Sequence, residues 1–297
     1  MTDSSFAVFI LTHGRSDRVY TYTTLRQQGY TGAIYLIIDN EDQTGDAYRT
    51  QYGQWVITFD KTAIAETFDV CDNFNLGHRG VVYARNACWE IARQLGIHYF
   101  LVLDDDYVTF EFRLTTDLQY GYSLVRNLDH LFALVLAYYQ SIPALAIAFG
   151  QNGDLIGGRN SASLRKLAIK RKVMNSFFCS VDRPFRFIGR INEDVNTYLT
   201  LGHRGALMFT LFHACIQQKH TQSQSGGLTP LYLEHGTYVK TFYAVMNAPS
   251  CVRVGVLRSQ HMRIHHHIAW EKAVPLIVSE KYRKVITRSQ GDNPHAM

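Results

Sequence analysis

His98-Tyr99-Phe100-Leu101-Val102-Leu103-Asp104-Asp105-Asp106-Tyr107 runs from a continuous apolar segment straight into three carboxylates. Six apolar or aromatic-flanked residues without alternation read as a strand covered on both faces, the pattern of a parallel sheet. The acids then emerge at the strand's carboxyl end, where open α/β sheets bind their ligands. Clustered like charges repel, so something positive must neutralise them, and hard oxygen ligands suit Mg²⁺ or Mn²⁺ carrying a diphosphate. The competing reading is a solvated loop or an aspartate helix cap.

Upstream, Phe6-Ala7-Val8-Phe9-Ile10-Leu11 is a second such run and ends in Thr12-His13-Gly14-Arg15-Ser16-Asp17. Val19, Tyr22 and Leu25 then recur at helical spacing as far as Gly29. Ala33 to Ile38 is a strand ending in Asp39, and Trp55 to Phe59 is another, so the chain opens as a βαβ arrangement. A helix follows from Gly80, with Ala84, Ala87, Cys88, Ile91 and Leu95 on one face and Gly96 at its C-terminal stop. The first hundred residues are therefore expected to be doubly wound.

Beyond Asp106 the pattern loosens. A helix is expected over 124–140, a buried strand over 144–149, a turn over 153–158, and strands over 173–181, 206–212 and 251–257. Gln217 to Pro230 is a polar low-complexity stretch whose Gly226-Gly227 pair reads as the hinge of a lid or as a plain surface loop. No internal repeat or linker divides the chain. The expectation is one α/β domain over residues 1–297 with a central mixed sheet, a Rossmann-like nucleotide-binding half over 1–110 and an acceptor-binding, catalytic half over 111–297.

With 297 residues and 46% hydrophobic content the chain can bury a full core, which excludes disorder as the default. A formal charge of +5 favours an anionic partner without identifying nucleic acid. The five cysteines, at 71, 88, 179, 215 and 251, form no Cys-x-x-Cys pair, so neither a disulfide framework nor a zinc knuckle is indicated and a reducing compartment fits. The N-terminus lacks a basic leader, and apolar runs such as Leu131 to Tyr139 are too short to cross a bilayer. A cytoplasmic protein with no membrane partner is expected. Its oligomeric state is not legible.

Beyond the aspartate triplet, six groups of residues carry candidate chemistry. Thr12, Gly14 and Arg15 allow close backbone approach and a guanidinium for phosphate or a base carbonyl. Asp39 is positioned to accept from a base or ribose, or to cap a turn. Arg85 and Asn86 lie on the polar side of their helix and reach either the same nucleotide or solvent. Gly189-Arg190-Ile191-Asn192-Glu193-Asp194 leads into Val195, Tyr198 and Leu199, a helix whose first-turn acids are dipole caps or a general base. His261-Met262-Arg263-Ile264-His265-His266-His267 offers imidazoles for a metal such as Mn²⁺, or surface histidines. Arg159, Arg165, Lys166, Lys170, Arg171 and Lys172, followed by Phe177-Phe178 and by Arg183, Phe185, Arg186 and Phe187, read as a phosphate-tracking groove with stacking surfaces or as a solvated face.

A βαβ half, an acid-tipped strand, a downstream Glu-Asp at a helix start and a late histidine together resemble the GT-A fold of glycosyltransferases over nearly the whole chain. More narrowly, Thr12-His13-Gly14-Arg15, Asp104-Asp105-Asp106, Gly226-Gly227, Gly236-Thr237-Tyr238-Val239-Lys240-Thr241 and His265-His266 resemble the TET-associated glycosyltransferase family of phage DNA-modification systems. That resemblance implies a metal-dependent glycosyltransferase in the host cytoplasm. It would move a hexose from a nucleotide sugar, a UDP-sugar, onto 5-hydroxymethylcytosine or a related hydroxymethylpyrimidine in DNA. It assigns Mn²⁺ or Mg²⁺ to Asp104, Asp106 and His265, the donor to Thr12, Gly14, Arg15, Asp39, Arg85, Asn86, Asp104 and Asp105, and catalysis to Asp194 with Glu193 beside it. An inverting reaction needs Asp194 as base, whereas a retaining one does not. The other readings are a glycosyltransferase acting on protein or polysaccharide, a nucleotidyltransferase releasing pyrophosphate, and a catalytically degenerate sugar-nucleotide or DNA-binding module.

Overall fold

Four parallel strands lead, as their apolar runs predict: β1 (Phe6–Leu11), β2 (Ala33–Asp39), β3 (Val56–Phe59) and β4 (Tyr99–Asp104). The structure is a computed structural model that describes residues 5–72, 77–117, 119–155, 158–160, 172–219, 238–258, 262–273 and 280. β1 lies between β2 and β4, with Leu11 in register with both Ile37 and Asp104. The runs are continuous because each face meets its own core. Ala7, Phe9, Phe100 and Val102 pack on one side with α4 (Val82–Gln94), whereas Val8, Ile10, Leu101 and Leu103 pack on the other with α1 (Tyr20–Gln27) and α2 (Gly45–Tyr52). A short α3 (Lys61–Ala65) precedes α4. α4 stops as expected: Gly96 takes φ +68°, and Ile97 N–H returns to the Ala92 carbonyl at 2.8 Å.

The second half extends the same sheet through β5 (Tyr107–Leu114), β6 (Tyr120–Leu124), β7 (Ala146–Gln151), β8 (Ser176–Ser180) and β9 (Met208–Gln218). The nine strands run in the order β3-β2-β1-β4-β8-β7-β9-β5-β6. β8 is antiparallel to β4, β9 parallel to β7, and β5 antiparallel to β9. Helices cover both faces, including α5 (Leu128–Ser141), α6 (Glu193–His203) and α7 (Val239–Asn247). A separate antiparallel ribbon, β10 (Val252–Arg258) with β11 (Met262–Ile268), closes the described chain ahead of the short helix Trp270–Ala273. One α/β domain with a large mixed sheet flanked by helices agrees with a GT-A-like architecture. Among the described residues no helix is long and apolar enough to cross a membrane.

Several boundaries move. The helix expected from Leu124 begins at Leu128, because Leu124 ends the edge strand β6 and Asn127 caps the helix by accepting the His130 N–H at 2.9 Å. β9 continues six residues past Phe212. The expected turn at 153–158 contains a short 3-10 segment, Asn152–Leu155. The 220–230 part of the polar stretch, Gly236-Thr237, His261, and Arg165, Lys166, Lys170 and Arg171 lie outside the described residues.

Candidate active site

The carboxyl ends of β1, β2, β3 and β4 open on a cavity of about 530 Å³, lined among others by Thr12, Arg15, Asp39 and Asp104 to Asp106. The loop after β1 is built from its own side chains. Thr12 donates to Asp105 Oδ2 at 2.7 Å and accepts the Tyr48 hydroxyl at 2.6 Å, while Arg15 N–H donates to that hydroxyl at 2.9 Å. Arg15 Nη1 reaches Asp105 Oδ1 at 3.0 Å. Gly14, at φ +67°, turns its N–H onto Asp42 Oδ2 at 2.8 Å, a left-handed conformation that favours glycine.

Asp105 and Asp106 form the turn between β4 and β5, and Thr21 on α1 fastens it. Its hydroxyl donates to the Asp104 carbonyl at 2.6 Å and accepts the Tyr107 N–H at 2.9 Å, and its own N–H donates to the Asp105 carbonyl. Thr21→Val keeps the shape but leaves buried backbone groups unpaired. It is expected to cost about 2–3 kcal/mol, read as a lower urea midpoint at unchanged slope.

The three carboxylates are not equivalent. Asp104 lies against Arg85 and Asp105 against Arg15. Burial pushes Asp105 up, with Arg15 and Thr12 opposing. Burial, then repulsion from Asp104 and Asp105, pushes Asp106 up to about 7, with Arg15 too weakly placed to offset it. Oxygen-only donors with a deficit of positive charge fit a hard divalent cation. Among the described residues, however, no group of three or more His, Cys, Asp or Glu is gathered as a formed metal site.

On the β2 side, Asp39 Oδ2 meets His13 Nδ1 at 2.8 Å and Lys61 Nζ at 3.2 Å. Burial raises the Asp39 carboxyl, but the His13 hydrogen bond and Lys61 outweigh it and hold it below its ordinary value. The same hydrogen bond raises His13. Lys61 and His13 line the cavity. In the sequence His13 stands within the Thr12-His13-Gly14-Arg15 motif without a role of its own, and Lys61 is not singled out. The available signal was position: Lys61 follows the end of β3 as Thr12 follows the end of β1.

Arg85 and Asn86 are buried, which removes the solvated-face reading. Neither lines the cavity. Asn86 exchanges two hydrogen bonds with the Phe187 backbone, at 3.1 and 2.8 Å. Arg85 Nη1 is bonded to Glu193 Oε1, and Nη2 lies 3.3 Å from both Asp104 oxygens, so the two acidic motifs meet across one guanidinium. Burial raises both Glu193 and Asp194, with Arg85 opposing in each case. Asp194 Oδ1 accepts the Val195 N–H at 2.7 Å.

Other expectations change. Phe177, Phe178, Phe185 and Phe187 belong to the core rather than to a stacking surface. Arg183 caps the end of α5 by donating to the carbonyls of Tyr139, Ile142 and Ala144, and Arg186 donates to the Asn86 carbonyl. Lys172 pairs with Asp154 at 2.5 Å. The expected phosphate groove therefore loses these members to structural work. His265 sits on the β10–β11 ribbon opposite Gly255, its ring 4.3 Å from that of His266, and does not line the cavity.

Sheet, acidic turn and cavity together describe an α/β protein with a GT-A-like arrangement and an open site at its strand ends. The sequence model of the TET-Associated Glycosyltransferase family matches residues 6–227, three quarters of the chain, and the chain belongs to that family. Among solved structures, S. aureus TarS residues 1–349 is similar at 10% identity with a TM-score of 0.42, covering 83% of this chain and 66% of that one. A second S. aureus TarS structure is similar at 10% identity and a TM-score of 0.39, covering 70% and 35%. The chain thus spans less than two thirds of the length of either. No curated protein matches it significantly.

Proposed function

We propose that this protein transfers a sugar from a UDP-sugar to a hydroxymethylated pyrimidine in DNA, in a metal-dependent and inverting reaction. The observation that carries the reading is the meeting of two acidic motifs behind the cavity wall. Asp104 to Asp106 line the cavity, and Glu193, buried beside Asp194 and outside that lining, is tied to Asp104 through Arg85. Asp104 and Asp106 are the residues that would hold Mn²⁺ or Mg²⁺, and the ion would supply neutralisation of charge on a departing diphosphate. Asp39, with His13 and Lys61 against it, holds the nucleoside end of the donor. Arg15 holds the phosphate end. Asp194 takes the proton from the acceptor hydroxyl as it attacks. The acceptor rests on the family's association with TET and on the net positive charge of the chain.

The test is incubation with hydroxymethylated duplex DNA, Mn²⁺ and a panel of nucleotide sugars, followed by mass spectrometry of the digested nucleosides. A glycosylated hydroxymethylpyrimidine and free UDP are expected, both lost in EDTA. Pyrophosphate release would make the protein a nucleotidyltransferase, and full activity in chelator would remove the metal.

A further inference from the structure

We infer that Arg85 is a positioning residue for the transfer: a buried strut that fixes Glu193, and through it Asp194 in the first turn of α6, against Asp104 at the end of β4. The inference rests on the proposed transferase reading, and it reassigns a residue that the sequence places among the donor ligands.

Arg85 is 2% exposed and is not among the residues lining the cavity, so its guanidinium lies behind the wall that Asp104 presents to that space. Its Cζ packs against a pair of rings, 4.9 Å from the Phe177 centroid and 5.6 Å from that of Phe187. Phe187 is itself held by Asn86, the next residue on α4. With Nη1 on Glu193 and Nη2 on Asp104, the fork bridges residues 89 positions apart and belonging to opposite halves of the chain. A planar guanidinium with rigid geometry can hold two carboxylates in a defined relation, which a lysine ammonium cannot.

The consequence is geometric. Glu193 and Asp194 are consecutive in the first turn of α6, so the bond from Arg85 to Glu193 sets where that turn, and Asp194 with it, stands relative to Asp104. Misplacement by about 1 Å at a reacting centre costs on the order of a hundredfold in rate. A residue that only bound donor would instead show its loss in donor affinity.

The experiment compares the full chain with Arg85→Lys, Glu193→Gln and the double variant. It measures UDP binding with Mn²⁺ by calorimetry, steady-state transfer to hydroxymethylated DNA, and urea unfolding. Arg85→Lys is expected to keep UDP affinity within about threefold while kcat falls on the order of a hundredfold. Glu193→Gln is expected to act in the same direction, and the double variant to be no worse than the worse single, because both break one contact. A tenfold loss of UDP affinity at normal kcat would make Arg85 a donor ligand. Additive losses, or normal kcat in Arg85→Lys, would equally overturn the strut. Should Arg85→Lys fail to fold, the isosteric Glu193→Gln carries the test alone, and its normal kcat overturns the proposal. If the unaltered protein binds UDP but transfers nothing, the transferase reading fails. The strut is then read from unfolding, where additive effects of the two substitutions overturn it.

Discussion

Asp106→Asn is expected to abolish metal-dependent transfer and, in EDTA above pH 7, to make the protein more stable. The two effects have one cause. Asp106 is pushed up to about 7 by burial and by the charges of Asp104 and Asp105, so in the metal-free fold its ionised form is disfavoured. Because the folded value lies above the unfolded value of about 3.9, the unfolded chain gives up this proton first, so the unfavourable contribution builds as pH rises from about 4 to about 7 and is complete above that. Below about pH 4 the group is protonated in both states, and Asn differs little from it. The unfolding midpoint of the unaltered protein, relative to Asp106→Asn, should therefore fall between about pH 4 and pH 7 in EDTA and level off above about pH 7. Added Mn²⁺ should restore it for the unaltered protein alone. For catalysis, losing one oxygen ligand from the charge that meets the leaving diphosphate is expected to cost about a thousandfold or more in kcat. A variant that is less stable than its parent at pH 8 in EDTA, or that turns over normally, would mean that Asp106 is a structural cap.

How much was legible depended on how completely each segment is buried. β1, β2 and β4 face two cores, so their sequences are continuous apolar runs, and the acids that follow stand out against them. β5 was missed because only part of it is covered: Tyr107 and Phe110 are buried while Val108 is exposed, a pattern that no single period announces. β11 was read as a histidine cluster for the same reason, its register being visible only once β10 lies beside it. The site divides similarly. Thr12, Arg15, Asp39 and Asp104 to Asp106 were legible because strand ends in a parallel sheet converge on one edge. Arg85 and Asn86 looked like a polar helix face, and no helical period reveals that such a face meets buried carboxylates and a backbone. Phe185 and Phe187 flank Arg186 and Phe177 follows the basic run in sequence, but it is the core that takes the rings. Periodicity reports burial of apolar groups well, and it is silent on polar groups buried by long-range pairing.

Asp194→Asn is expected to lower kcat by about 10²–10⁴-fold, the usual reach of general base catalysis, with UDP affinity and fold retained. Retention of the fold follows from the contacts: Asn has the oxygen that accepts the Val195 N–H, and removing a carboxylate that burial has pushed upward relieves a cost at neutral pH. The raised value also suits the chemistry, since a base titrating nearer the working pH binds the acceptor proton more strongly than an ordinary aspartate. In the unaltered protein, the acid limb of kcat is therefore expected above the usual aspartate range, because protonation removes the base. That limb should disappear in the residual activity of Asp194→Asn. Glu193 is the internal control. It is held by Arg85, so Glu193→Gln should lower kcat through misplacement while leaving an acid limb that still belongs to Asp194. If instead Glu193→Gln erases the limb and Asp194→Asn keeps near-normal turnover, the proton goes to Glu193. If neither substitution slows transfer, no carboxylate on α6 accepts it, and the retaining route, which needs no base there, is the one the protein uses.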